Sequence, residues 1–532
     1  MKQNAVVLGG SVAGLLAAAA LSPRYNTIEV IERDILPAGP SPRRGAPQGQ
    51  HVHAMLPRGV QAVESLLPGF TEQLTAAGAY CGDVLADARW YLNGRPLRRS
   101  HTGLAAVTAS RPLIEHTIRT AVRALPNVRI TDGHDIVGLT SDRSVHITSR
   151  AGAGSRIVPA DLLVDATGRG SRMPQWLMEL GYSAPEEEVV DIDVRYASRV
   201  FAGNLLGDDM VVITARYPGQ LRSSVMQRLE GNRVLVTLAG VHGERPPTDL
   251  EGFTAYAESL AVPDTAAVIK SGTPLGDAVP FHFPAYIRRR YDRAHLPPGI
   301  IVIGDAACAF NPVYGQGMST AAMSAATLRE DDDPQRFHVR QAELHEAPWT
   351  LAVGADMALD AATTAPPPAK PRATAAVTPR ATAAVTPRAA AGSGTTLSAI
   401  SGTASGGADA DELAADLSAA EPTVDVSVAE PTVDVSVAEP TADLSVAERA
   451  ADLSVAEPTV DLSPAEPMVA SSAPAAPSPA DMIRQLQLAA VEDGELAAAF
   501  IRVTSLVDPP RALGAPWIAA RLAARAAASV PA

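Results

Sequence analysis

Up to about residue 330 the hydrophobic positions fall into short runs separated by longer mixed stretches. Ala5–Leu8, Thr27–Ile31, Leu162–Asp165 and Gly299–Ile303 are rich in Val, Ile and Leu, are bounded by turn or acidic residues, and read as strands. The first leads through a glycine-rich turn into a helix of small residues beginning near Val12. Met210–Ala215 and Arg233–Leu238 read as strands of a mixed sheet built mainly by residues 180–285. Strands alternating with helical stretches predict an α/β fold. A final helical pattern, rich in Ala, Leu and Arg, runs from Ala480 to about Arg525.

Between the α/β body and that last stretch the pattern is lost. Residues 361–478 are of low complexity: Pro371, Pro379 and Pro387 recur every 8 residues, and Glu421, Glu430, Glu439, Glu448, Glu457 and Glu466 every 9. A stacked solenoid would need a large apolar inward position in each turn and glycine corners. Here the apolar residues are small and Pro follows the Glu in five of the six copies. In-register carboxylates would also repel, so disorder is the expectation. This stretch carries the charge as well. Residues 401–470 contain 15 acidic side chains and one basic one, which accounts for the net charge of −14 and leaves the remainder near neutral. No basic stripe suited to nucleic acid remains. Two cysteines, Cys81 and Cys308, are too few for a disulfide framework and are in keeping with a cytoplasmic protein. No uninterrupted apolar run reaches membrane-spanning length. The apolar stretch Ala5–Leu21 imitates a secretory leader, but that reading makes Gly9-Gly10-Ser11 accidental and leaves the strand after it unexplained.

Chemistry enters at two places. The first is Val6-Val7-Leu8-Gly9-Gly10-Ser11-Val12-Ala13-Gly14-Leu15, a strand, a tight turn and a helix start. Gly9 permits the turn and Gly14 permits close helix–strand packing. A small residue at Ser11, with Val12 and Ala13, lets a pyrophosphate reach the helix N-terminus. Ser11 stands where a second glycine is usual. Glu32, 18 residues beyond Gly14 and at the end of the next strand, can accept hydrogen bonds from both hydroxyls of a ribose. The second is Gly304-Asp305-Ala306-Ala307, which leads to Asn311-Pro312-Val313-Tyr314-Gly315-Gln316-Gly317-Met318. An acid after a strand, then Pro-x-x-Gly-x-Gly opening a helix, suits a flavin. Asp305 would take the ribityl hydroxyls, and the helix start at Gly317 and Met318 would stabilise the reduced ring. The dinucleotide is thus expected to be FAD.

These segments, with Glu32-Arg33-Asp34, Pro42-Arg43-Arg44-Gly45-Ala46-Pro47-Gln48-Gly49-Gln50-His51-Val52-His53 and Asp165-Ala166-Thr167-Gly168-Arg169-Gly170-Ser171, resemble one family. It is the single-component FAD-dependent monooxygenases built like para-hydroxybenzoate hydroxylase. Within it, the run Val158–Asp165 and the stretch through Ala184–Glu188 look most like bacterial natural-product enzymes, including the polyene epoxidases of polyether biosynthesis. The resemblance spans about residues 1–328 and resumes weakly near the C-terminus. It implies a Rossmann-like FAD domain of the glutathione-reductase type (residues 1–175 and 286–330), a substrate-binding sheet domain (176–285), and a C-terminal helical part (331–360 and 479–532). Residues 361–478 would be the inserted repeats. It also implies that Arg33 flanks the adenine, that Arg43 approaches the flavin, and that Arg111, at a helix start, contacts the phosphates or ribityl chain; a guanidinium supplies fixed charge for such contacts. NAD(P)H would dock transiently as reductant. A flavin C4a-hydroperoxide would then carry one oxygen atom from O₂ to an organic, polyketide- or polyene-like substrate, by hydroxylation or epoxidation. No catalytic side chain is expected, because the flavin carries the chemistry.

Other readings stay open. A halogenase shares the FAD domain, although no Trp-x-Trp-x-Ile-Pro string occurs. A flavin reductase or dehydrogenase would look the same, and a non-catalytic interaction protein could recruit partners through its repeats. The last gains from a helix that the acidic run Arg329–Asp333 is expected to stop at Leu328. His51 and His53 lack a third ligand at metal spacing, so no metal is expected. Cys308 reads as a packed residue, and Ser271–Tyr291 as a helix end with a charged face.

Overall fold

Two sheets organise the chain. The computed structural model describes residues 2–53, 55–217, 219–362 and 479–528, so the 8- and 9-residue repeats and their expected disorder lie outside the described residues. The first sheet is fully parallel, in the order β17 (Ile300–Val302), β11 (Leu162–Asp165), β1 (Lys2–Leu8), β2 (Tyr25–Ile31) and β7 (Val128–Thr131). Its strands are apolar where both faces are covered, as in Ala5–Leu8, Leu162–Val164 and Ile300–Val302, while β2 and β7 carry polar residues at their exposed positions. On one side lie α1 (Val12–Leu21), α2 (Pro57–Leu66), α4 (Arg111–Arg123) and α8 (Gln316–Glu330). On the other lie α5 (Met173–Glu179) and the antiparallel strands β8 (His134–Leu139), β9 (Val145–Ser149) and β10 (Ser155–Val158). The stretch that imitates a leader is therefore core: Leu15, Leu16, Ala17, Ala18 and Leu21 are wholly buried in α1.

The second sheet is mixed and has eight strands. Its order is β18 (Cys308–Ala309), β16 (Thr273–Arg289), β12 (Glu187–Ala202), β15 (Arg233–Gly240), β14 (Arg222–Leu229), β13 (Val211–Thr214), β4 (Ala88–Leu92) and β5 (Arg95–Pro96). Only β4 and β13 run parallel; the other pairs are antiparallel. One face packs on α6 (Leu250–Glu258) and α7 (Asp264–Ser271) through Phe201, Val236, Phe253 and Ile269. The other face gathers Tyr196, Ala239, Phe283 and Tyr286 against Phe310, Trp349 and Val353. The short pair β3 (Tyr80–Asp83) and β6 (Ala105–Thr108), with α3 (Phe70–Ala76), completes the body. The helices α10 (Pro479–Ala489), α11 (Gly494–Thr504) and α12 (Pro516–Ala528) seal Leu85, Leu97 and Leu104.

Two expectations need correction. The helix expected to stop at Leu328 continues to Glu330 as α8, and a 29-residue helix, α9 (Pro334–Ala362), follows directly. The acidic run does not break the chain into solvent, because Asp332 is buried and accepts from Tyr25 Oη (2.8 Å) and Arg24 Nη2 (2.5 Å). Proline then suits the first helical turn at Pro334, where no intrahelical donor is lost. The helix end expected at Ser271 is there, since α7 stops at Ser271, but the arginines beyond it lie on and beside β16 and pair across the sheet rather than forming a solvated face. β12 and β16 place Glu187 opposite Arg289 and Glu188 opposite Arg288. Their charges close across the sheet, Arg289 Nε to Glu187 at 2.7 Å and Arg290 Nη1 to Glu188 at 2.8 Å.

Candidate functional site

The C-terminal ends of β1 and β2 meet α1 at the glycine turn. Gly9 adopts φ +98°, and a Cβ there would lie 2.6 Å from the carbonyl oxygen of Ala166. Gly14 is still more confined: its Cβ would sit 1.8 Å from the carbonyl oxygen of Gly9. Ser11 is the N-cap residue of α1 but makes no side-chain bond to the helix. Its Oγ instead donates to Glu115 Oε2 (3.1 Å) and accepts from Arg111 Nη2 (2.9 Å). The first-turn amides beside Val12 and Ala13 are thus left without a side-chain cap, the arrangement that suits an anion. Glu32 closes the turn, accepting from the Gly10 amide at 2.7 Å and from the Asp34 amide at 2.9 Å.

Around this turn, basic and acidic side chains interlock. Arg43 donates to Glu115 Oε1 (2.7 Å) and Asp34 Oδ2 (2.9 Å), and lies 3.4 Å from Glu32 Oε1. Arg111 Nη1 donates to Glu115 Oε2 (2.9 Å), and Arg119 Nη1 lies 3.5 Å from Oε1. Burial alone would raise the Glu115 pKa, but Arg111 and Arg43 outweigh it and hold the carboxyl below its ordinary value. Burial pulls the Arg43 pKa down and the carboxylates of Glu32 and Glu115 more than restore it, so both partners stay charged. Arg43 therefore stands beside Glu32, whereas the guanidiniums whose charge reaches Asp305 are Arg111 and Arg169. Arg33 is largely exposed, 3.5 Å from Asp135, and lines a cleft of about 780 Å³ with Asp34, Arg43, Arg44 and His134.

The second predicted segment follows β17. Gly304, at φ +64°, packs so closely on α1 that a Cβ would come within 2.8 Å of the Ala13 Cβ. Asp305 follows in a short turn, and among the described residues nothing hydrogen-bonds its carboxyl. Burial raises its pKa, with Arg111 and Arg169 opposing. The start of α8 faces it: a Cβ on Gly317 would be 3.7 Å from Asp305 Oδ1. The turn Pro312–Tyr314 and Gly315, at φ +66°, deliver the chain to that helix, and Met318 is buried in its first turn.

His51, for which no metal was expected, packs on the face of the eight-stranded sheet, and His53 follows it. His51 Nδ1 pairs with Ser198 Oγ (2.8 Å), which pairs with Thr237 Oγ1 (2.6 Å). The ring sits edge-on to Tyr196 and Phe281, and burial lowers its pKa to about 4. His53 Nδ1 donates to the His51 carbonyl (3.0 Å); burial, helped by the Arg111 charge, lowers its pKa to about 3. Both are neutral near pH 7. Among the described residues no group of three or more His, Cys, Asp or Glu side chains is placed to hold a metal. Cys308 is buried beside Phe310 and Trp349. Glu115, Arg169 and the Tyr314–Asp356 pair were not singled out from the sequence. Only Glu115 had a local signal, the i, i+4 spacing Arg111–Glu115–Arg119 on one helix face.

This is the fold of the FAD-dependent monooxygenases. It superposes on 2-methyl-3-hydroxypyridine-5-carboxylic acid oxygenase with a TM-score of 0.50 at 16% identity, over 68% of this chain and 93% of that one. PqsL of Pseudomonas aeruginosa gives 0.52 at 14% identity, over 68% and 97%. The flavin-dependent brominase Bmp2 gives 0.51 at 14%, over 68% and 87%. In sequence, the chain is 36% identical over 347 residues to protein Rv3254 of Mycobacterium tuberculosis, covering 62% of this chain and 72% of the relative. The chain belongs to the same family as Rv3254. It is also 26% identical over 355 residues to kynurenine 3-monooxygenase of Salinispora tropica, with 62% and 72% covered. No family model matches the chain. Among the described residues, no helix is long and apolar enough to cross a membrane.

Proposed function

We propose that this chain binds FAD along the groove from Glu32 to Asp305 and acts as a monooxygenase, drawing electrons from NAD(P)H and one oxygen atom from O₂. The observation that carries the reading is Asp305: a carboxyl without a hydrogen-bond partner among the described residues, set against the start of α8. An acceptor so placed suits a polyol. At the far end, Glu32 is the acceptor suited to a ribose. Between them stand the uncapped first turn of α1 and the guanidiniums of Arg43 and Arg111, donors suited to phosphates. Gly9, Gly14 and Gly304 let the turn, α1 and the Gly304-Asp305 segment pack closely where Cβ atoms would collide with backbone or Ala13. These residues fit FAD along its length.

When bound, FAD supplies the redox chemistry, accepting two electrons from a nicotinamide and activating O₂. The chain's own part is to hold and shield. Asp305 and Glu32 orient the two sugar-like parts, and the N-terminus of α8, through Gly315, Gly317 and Met318, offers a positive dipole end. Pro312 shapes the approach to it, while Arg33 and the cleft beside it flank the adenine end. The sheet face carrying Tyr196, Ser198 and Thr237, with the neutral His51, forms an apolar wall with weak hydrogen-bonding groups. It suits a largely uncharged organic substrate of polyene or polyketide type, taken through hydroxylation or epoxidation.

Purified protein should be yellow and release FAD on denaturation. It should oxidise NADH or NADPH faster in the presence of an accepted polyene or polyketide, and ¹⁸O from ¹⁸O₂ should appear in the product by mass spectrometry. Colourless protein that takes up no added FAD would overturn the cofactor assignment. NAD(P)H oxidation without label in any product would mark a reductase, and a brominated product formed only with bromide present would mark a halogenase.

A further inference from the structure

Asp356, on α9, is 2% exposed and accepts four hydrogen bonds, two on each carboxylate oxygen. Tyr314 Oη (2.6 Å) and Arg216 Nη2 (2.5 Å) donate to Oδ1; Tyr286 Oη (2.5 Å) and Asn311 Nδ2 (3.0 Å) donate to Oδ2. Arg216 follows β13 and Tyr286 lies in β16, so two of the bonds tie α9 to the eight-stranded sheet. The other two come from the segment leading into α8. Asn311 precedes the Pro312–Tyr314 turn, and Tyr314 ends it. Asn311 also accepts the Val313 amide on Oδ1 (3.1 Å), so its side chain spans the turn from both sides. Packing holds the turn only on one side: Tyr314 leans against the cluster of Phe310 and Trp349, but no residue of the turn is fully buried and Val313 is 43% exposed. The turn nevertheless decides where α8 begins, and hence where Gly317 stands against Asp305.

We propose that Asp356 is a positioning residue that, through Asn311 and Tyr314, fixes the turn before α8 and thereby sets how firmly the Asp305 end of the groove holds FAD. This rests on the FAD reading above. A plain brace between α9 and the sheet would use the Tyr286 and Tyr314 bonds alike. A positioning role makes them unlike, because only Tyr314 belongs to the turn.

Tyr314→Phe and Tyr286→Phe each remove one donor to the same carboxylate and keep the ring. Each full-length variant is titrated with FAD by flavin fluorescence, and amide hydrogen exchange over residues 308–322 is followed by mass spectrometry with and without FAD. Thermal unfolding is measured alongside. A bond to a charged acceptor is worth about tenfold or more in an equilibrium. Tyr314→Phe should therefore raise the FAD dissociation constant and the exchange of amides 313–318 about tenfold, with Tyr286→Phe within about twofold of the parent in both. Both variants should lower the unfolding temperature by similar amounts. Asp356→Asn, where it folds, should exceed Tyr314→Phe in both readouts. If Tyr314→Phe and Tyr286→Phe match in exchange and FAD affinity, Asp356 is only a brace and the proposal fails. A parent protein that takes up no FAD sinks the flavin reading instead, while exchange in the FAD-free protein still decides whether Asp356 holds the turn.

Discussion

Among the described glycines, Gly14 should be the most damaging to replace by alanine. The added Cβ would lie 1.8 Å from the Gly9 carbonyl oxygen and 3.3 Å from Val7 Cγ1. An ordinary carbon–oxygen contact needs more than 3 Å, so the helix or the turn must yield by over an ångström. Neither is free to do so: α1 is buried almost throughout, and the Gly9 amide is bonded to the Ile31 carbonyl at 2.8 Å. Overpacking a core typically costs about 1–3 kcal/mol, and a backbone clash in a fully buried helix belongs at or above the top of that range. Gly10 offers the internal control. A Cβ there meets the Glu32 side chain at 3.0–3.3 Å, and a side chain can swing aside. Gly10→Ala should therefore cost below about 1 kcal/mol in stability while disturbing the carboxylate assigned to the ribose. Thermal melts are a blunt assay for this difference. At about 2.1 cal/mol/K per residue over roughly 400 described residues, 3 kcal/mol moves the midpoint by only about 3–4 °C. Urea unfolding combined with FAD titration separates the two variants better. Gly14→Ala should lose stability first and foremost, and Gly10→Ala mainly FAD affinity. A Gly14→Ala protein with the parent's urea midpoint would refute the close-packing argument.

Three further outcomes follow from the site. Asp305→Ala should weaken FAD binding about 10- to 100-fold, since hydrogen bonds to a charged acceptor are worth about 1.5–3 kcal/mol, yet leave the FAD-free protein as stable as before or more so, because it removes a carboxyl that lacks a partner; a fall in both would mean the residue is structural. Arg43→Ala leaves Glu32, Asp34 and Glu115 without their shared cation and should cost about 3–5 kcal/mol, with Arg43→Lys in between because it cannot fork to two acids; a urea midpoint unchanged in Arg43→Ala would contradict the network. Burial lowers the pKa of His51 to about 4, of His338 to about 4 and of His345 to about 3. Below about pH 6.5 the unfolded chain takes up protons that these folded histidines refuse, so stability should fall from pH 6.5 toward pH 4, by up to about 1.4 kcal/mol per histidine per pH unit; equal urea midpoints at pH 7 and pH 5 would show that the rings are not held neutral.

What the sequence made legible was local. The Leu8–Gly14 turn, Glu32 at the end of the second strand, and Asp305 before the Gly315–Gly317 helix start are each signalled within some twenty residues, and each depends on backbone conformation that the nearby residues impose. The arginines Arg288–Arg290 were misread because a run of charges suggests a solvated face, whereas here they are largely buried against Glu187 and Glu188, partners that lie about a hundred residues away in sequence. Asp356 had no signal at all: it meets Tyr314, Tyr286 and Arg216 only through the packing of α9 on the sheet.

Arg43 shows what that loss means for function. Read by itself it is a positive charge awaiting a flavin or a phosphate. In the fold, Arg43, Arg111 and Arg119 face Glu32, Asp34 and Glu115, one cation for each acid, so the cluster has little net field. A phosphate reaching α1 therefore meets directed donors rather than surplus charge: the uncapped amides of the first turn and whatever guanidinium hydrogens the carboxylates leave unused. Affinity built in that way should depend only weakly on ionic strength, since screening acts on net charge at a distance far more than on hydrogen bonds made at contact. Raising NaCl from 50 to 500 mM should change the FAD dissociation constant by less than about threefold. A tenfold or greater loss would show that uncompensated charge, and not the geometry of the turn, holds the phosphates.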